Sequence, residues 1–217
     1  MGTITRSFAN NITTSGVLLP ASLTNNSIAN VTAYNAAIAT GNMVLISSQT
    51  ASNSASLSFT TGINSTYKEY QFWFVDIHPR TSETDFTFNM STDSGSNYNV
   101  TKTSTFYRAY NFEDGSAASV GYIDSCDLEQ STSFQKLTEN GFSNDADVNL
   151  GGILTIFNPA STTYVKHYIA NTNNIKITYS INSYIAGYGN TTSAVNAIQF
   201  KMASGNMDGT ILMYGIV

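Results

Sequence analysis

Nucleophilic hydrolysis of the Ser-His-Asp kind needs an imidazole base, and the chain offers two, His78 and His167, neither beside a Gly-x-Ser-x-Gly turn. His78 stands in Asp76-Ile77-His78-Pro79-Arg80. Residues two apart on a strand share a face, so an Asp-oriented imidazole is one reading and a structural histidine at a strand end is the preferred one. Glycoside cleavage needs two carboxylates facing across a cleft. The candidates are Glu69, Asp76, Glu83, Asp85, Glu113 and Asp114, set mostly near strand ends where solvated turn acids also belong. Asp145-Ala146-Asp147-Val148-Asn149 alternates oxygen side chains that suit Ca²⁺, but the full calcium-loop pattern is absent and a solvated acidic turn is the preferred reading. No Cys/His cluster exists for zinc, and no glycine-rich phosphate cradle occurs. No catalytic residue, metal site or cofactor is therefore expected.

Other groups point to surfaces rather than reactions. The single cysteine, Cys126, excludes an intramolecular disulfide, so folding does not depend on an oxidising compartment. Asn-x-Ser/Thr triplets begin at Asn11, Asn25, Asn30, Asn64, Asn89, Asn99 and Asn190, a number that composition alone produces. Tyr67, Tyr70, Phe106, Tyr107, Tyr110, Phe112, Tyr122, Tyr164, Tyr168, Tyr184 and Tyr188 are many for one modest core. Tyrosine among Asn, Ser and Gly suits subunit contacts and sugar stacking as well as burial.

The elements that carry these groups read as strands. Tyr70 to Ile77 alternates Tyr70, Phe72 and Phe74 with Trp73, Val75 and Ile77, so both faces are expected to be covered. Asp85 to Ser91 turns Phe86, Phe88 and Met90 to one side. Further strands are expected at Met43 to Ser47, Ala55 to Phe59, Val100 to Tyr110, Val120 to Ile123, Gly152 to Phe157, Thr163 to Ile169, Ile175 to Ile185, Ala197 to Met202 and Thr210 to Ile216. Asp124 to Asn149 is the longest excursion, read as a folded loop because it holds Phe134, Leu137 and Phe142. About ten or eleven strands without crossover helices predict an all-β, antiparallel two-sheet β-sandwich of jelly-roll-like kind over residues 43–217.

Composition bounds the partners. The 217 residues carry 11% charged side chains and a net charge of −5, and Ser, Thr and Asn supply about 79 residues, more than a third. Direct nucleic-acid binding is therefore not expected. After Arg6 no charged residue occurs until Lys68. The first part of this stretch, residues 1–42, reads as an extended N-terminal arm for anchoring or inter-subunit contact, through Phe8, Ile12, Val17, Leu18, Leu19, Leu23 and Ile28. A flexible leader or the first strands of the domain is the alternative. The first residues lack the apolar core of a signal peptide, no apolar run approaches the ~20 residues of a membrane span, and no membrane partner is expected.

Five stretches stand out: Arg6-Ser7-Phe8-Ala9-Asn10-Asn11-Ile12-Thr13-Thr14-Ser15-Gly16-Val17, Leu45-Ile46-Ser47-Ser48-Gln49-Thr50-Ala51, Gly62-Ile63-Asn64-Ser65-Thr66-Tyr67-Lys68-Glu69-Tyr70, Ser91-Thr92-Asp93-Ser94-Gly95-Ser96-Asn97-Tyr98-Asn99-Val100 and Ser204-Gly205-Asn206-Met207-Asp208-Gly209-Thr210-Ile211-Leu212-Met213-Tyr214-Gly215-Ile216. They resemble small virion structural proteins of marine tailed bacteriophages such as cyanophages. The resemblance implies a place on the outer surface of a particle assembled in the host cytoplasm, and carries over no catalytic residue. It leaves two expectations. One is a non-enzymatic capsid (head) decoration protein attached through its arm to the major capsid protein or another virion protein, as a homo-oligomer, taken as a trimer from the symmetry of capsid sites. The other is a tail or tail-fibre module binding a host surface glycan through the loops 107–119 and 124–149.

Overall fold

The computed structural model describes residues 42–139 and 141–217. Apart from Asn42 the expected arm, with Phe8, Ile12, Val17, Leu18, Leu19, Leu23 and Ile28, lies outside the described residues. Twelve strands run in chain order: β1 (Met43–Ser54), β2 (Leu57–Phe59), β3 (Glu69–Pro79), β4 (Phe86–Ser91), β5 (Lys102–Phe112), β6 (Ala118–Tyr122), β7 (Gln135–Lys136), β8 (Leu150–Phe157), β9 (Lys166–Lys176), β10 (Tyr179–Gly189), β11 (Ala197–Met202) and β12 (Met207–Ile216). They form an eight-stranded sheet, β1-β12-β3-β8-β9-β10-β5-β6, and a four-stranded sheet, β2-β11-β4-β7, with every pairing antiparallel. No helix occurs among the described residues, and the fold is an all-β sandwich.

The pairings nest. β1 lies beside β12, β2 beside β11, β3 beside β8 and β4 beside β7, which is how a long antiparallel ribbon pairs when it is wound into a jelly roll. Two hairpins are added to that ribbon. β5-β6 is inserted between β4 and β7 and β9-β10 between β8 and β11, and both extend the larger sheet beyond β8.

Aromatic side chains hold the two layers together. Phe200 of β11 has its ring centroid 5.3 Å from Phe72 and Phe74, 6.0 Å from Phe86, 6.2 Å from Phe59 and 6.3 Å from Phe88, mostly in edge-on or tilted arrangements. The smaller sheet ends at β7, which lies over β9, where Phe88 of β4 also packs on Tyr168 with ring centroids 5.1 Å apart. There the segment 124–149 forms the cover: Tyr168 donates to Gln135 Oε1 (3.2 Å), Thr172 donates to the Leu137 carbonyl (2.5 Å), and Arg108 pairs with Glu139. The excursion expected as a loop therefore works as the second layer, with Leu137 and Phe142 fully buried.

β3 corrects the expectation that both its faces are covered. Tyr70, Phe72 and Phe74 are buried, but Val75 is exposed and Trp73 only half-buried, because the far side of the larger sheet has no layer over it among the described residues. A register shift between Phe74 and Ile77, with Asp76 at φ 51°, then turns Ile77 back into the core. Gly209 of β12 passes this bulge at φ 120°, where a Cβ would stand 2.5 Å from the Asp76 carbonyl oxygen, so only glycine fits.

Candidate functional site

The unpaired residues of that open face come from strands whose inner side chains are locked in the core, so alternation fixes what points outward. Cross-strand register aligns Leu45 with Tyr214 and Gln71, Leu212 with Trp73 and Ile153, Thr155 with Ile169, and Asn171 with Tyr184, Tyr107 and Tyr122. Two apolar flanks result. On one, Met43, Leu45 and Val75 are exposed beside the Trp73–Tyr214 pair, whose centroids are 5.5 Å apart; on the other, Tyr184, Tyr107, Tyr122 and Val120 are exposed. Val120 is 75% accessible and Ile169 and Leu45 53% each, far above what a core residue shows. Between the flanks lies an amide ladder in which Asn182 Nδ2 donates to Asn171 Oδ1 (2.8 Å) and Asn173 Nδ2 to Ser180 Oγ (2.9 Å).

Charge is kept off this surface. Lys102, Arg108 and Lys166 lie on the inward side of their strands, Lys176 at the end of β9 binds Glu83, and Glu69 at one corner accepts from Gln71 Nε2 (2.8 Å). Among the described residues, the inward lysines are held by neutral oxygens. Lys102 Nζ donates to Asn89 Oδ1 (2.5 Å) and the Val100 carbonyl (2.8 Å), and Lys166 Nζ to the Tyr164 and Thr191 carbonyls. Burial pulls the Lys102 ammonium down to about 7 and lowers that of Lys166. At the rim, Tyr122 donates to Asp127, and this bond holds its phenol up at about 12.

A groove of about 480 Å³ opens where β8, β9, β10 and β5 reach one end of the face, lined by Thr103, Thr105, Phe157, His167, Ile169 and Tyr188. Gln130 Nε2 donates to Thr103 Oγ1 (2.6 Å) and to the Tyr188 hydroxyl (3.3 Å), and Asn190 Nδ2 donates to Gln130 Oε1 (2.7 Å). Aromatic rings, hydroxyls and amides without a formal charge suit a neutral polar ligand. Of the loops expected to bind glycan, 124–149 reaches these lining residues through Gln130, and 107–119 contributes none of them.

The residues singled out for chemistry are dispersed. His78 Nδ1 lies 2.7 Å from the Val148 carbonyl while Asp76 accepts from Asn149 Nδ2 (2.8 Å), so the bulge sends the two to different partners and Asp76 does not orient His78. Glu83 pairs with Lys176; Asp85 is held by Lys136 (3.0 Å), Thr138 and the Gly141 amide; Asp114 accepts from the Ser116 amide. Asp145 accepts from Ser143 Oγ (2.5 Å), and no group of three metal-ligating side chains stands together among the described residues. Cys126 is buried, and burial pushes its thiol up to about 11, away from reactivity. Asn89 is buried with its amide nitrogen on the Tyr98 and Thr132 carbonyls, which closes that triplet to glycosylation in the folded protein.

Comparison with protein-family models, with curated proteins and with solved structures finds no match. No helix among the described residues is long and apolar enough to cross a membrane.

Proposed function

We propose that the protein is a non-enzymatic structural subunit of a tailed-bacteriophage virion, a capsid decoration protein that sits on the outer surface of the head. The observation that carries this reading is the charge-poor, apolar and aromatic outer face of the eight-stranded sheet. A monomer rarely leaves so many apolar and aromatic side chains together in water, and surfaces of this composition mark protein contacts. Jelly rolls recur in viral capsid proteins and in lectins, which fits this reading by analogy of fold and does not decide it. Homo-oligomerisation belongs to the same reading, because many weakly held copies become stable on a particle once linked.

The groove at Tyr188, His167 and Phe157 favours a second reading, a tail or fibre module that holds a neutral host glycan. Gradient-purified particles of the encoding phage test the first reading by quantitative mass spectrometry: a decoration protein is present in copies comparable to the major capsid protein, and its absence from the particles overturns the proposal. Binding of the purified chain to a glycan array, lost in Tyr188→Ala, supports the second.

A further inference from the structure

We propose that the outer face of the eight-stranded sheet is where a second copy of this chain docks, an inference that rests on the proposed assembly role of that face and names its partner. Size supports it. Eight strands about 4.8 Å apart and about seven residues of about 3.3 Å rise along each give a face on the order of 800 Å². A stable interface takes about 800 Å² from each partner.

Charge supports it independently. Two copies each bearing −5 repel wherever their acids meet, yet the carboxylates bordering this face are already engaged, Glu69 by Gln71, Asp127 by Tyr122 and Asp208 by Arg80. The face also satisfies the demand of an isologous contact that one surface match itself. Its apolar flanks lie on either side of an amide and hydroxyl centre, and Asn and Ser offer donors and acceptors together, so a rotated copy meets groups it can pair with.

Sedimentation velocity of the full chain over a range of concentrations tests the contact. Ile169→Lys and Tyr184→Lys place charges at exposed positions that the fold tolerates, and each appears twice across a two-fold contact. The double variant is expected to weaken association by on the order of a hundredfold at unchanged circular dichroism. Val120→Lys provides a second variant at the most exposed edge of the face, and Ile177→Lys, exposed at a hairpin tip off the face, is expected to leave assembly intact. A wild-type chain that stays monomeric, or an oligomer indifferent to the face variants, overturns the proposal. So does a monomer in which Tyr107 and Tyr184 are shielded from chemical labelling, which would assign the cover to residues 1–41. A chain that associates through this face but is missing from particles removes the virion reading and leaves the contact standing; a monomer found on particles does the reverse.

Discussion

Lys102 is the residue most at odds with its surroundings: a buried ammonium with no carboxylate, pulled down to about 7 by desolvation. The unfolded chain, with an ordinary lysine, binds more protons than the native one from about pH 7 to 10.5. Its contribution to stability therefore rises with pH across that window, by on the order of 5 kcal/mol, and its cost is fully felt below pH 7. Urea melts of wild type and Lys102→Met at pH 7 and pH 10 are expected to show the wild type gaining on the variant at the higher pH. Equal differences at both would contradict the assignment. Ile177 is a second misfit, a β-branched residue at φ 57° in the β9–β10 hairpin turn. Relieving that strain in Ile177→Gly is expected to raise stability by about 1 kcal/mol, read as an upward shift in melting temperature. None of this was legible in sequence, because a lysine's depth has no signature in residue type and an isoleucine gives no sign of a positive φ.

Among the elements, the inward rows of β3 and β4 follow from alternation, with Phe86, Phe88 and Met90 buried as their spacing predicts, whereas the burial of Thr87, Asn89 and Ser91 on the other side of β4 does not. Phe200 sits among five other rings, so Phe200→Ala is expected to cost about 3–5 kcal/mol, measured by denaturant unfolding. β3 misleads on its other side. Trp73 and Val75 have the residue types of a covered face, and hydrophobic pattern cannot tell a surface buried in the chain from one reserved for a contact. A signal was present nonetheless: no charge occurs in β1, β8 or β10, the strands that cross much of this face. Segment 124–149 escaped for a different reason. Its one short strand pairs over two residues, and most of its value lies in side chains such as Gln135 and Leu137 that cover β9.

At the scale of the molecule, a jelly roll widened by two hairpins exceeds its own second layer and leaves one large sheet face with no layer over it among the described residues. Low charge and abundant Ser, Thr and Asn are visible in composition, while which surface carries the contact needs the register. The account's central claim is that this face serves a particle. Immunogold electron microscopy of purified virions, with antibody raised against residues 43–217, tests it most directly. Gold distributed over the head is the expected result. Gold confined to the tail would move the protein to host recognition through the Tyr188 groove, and particles without label would contradict the virion account.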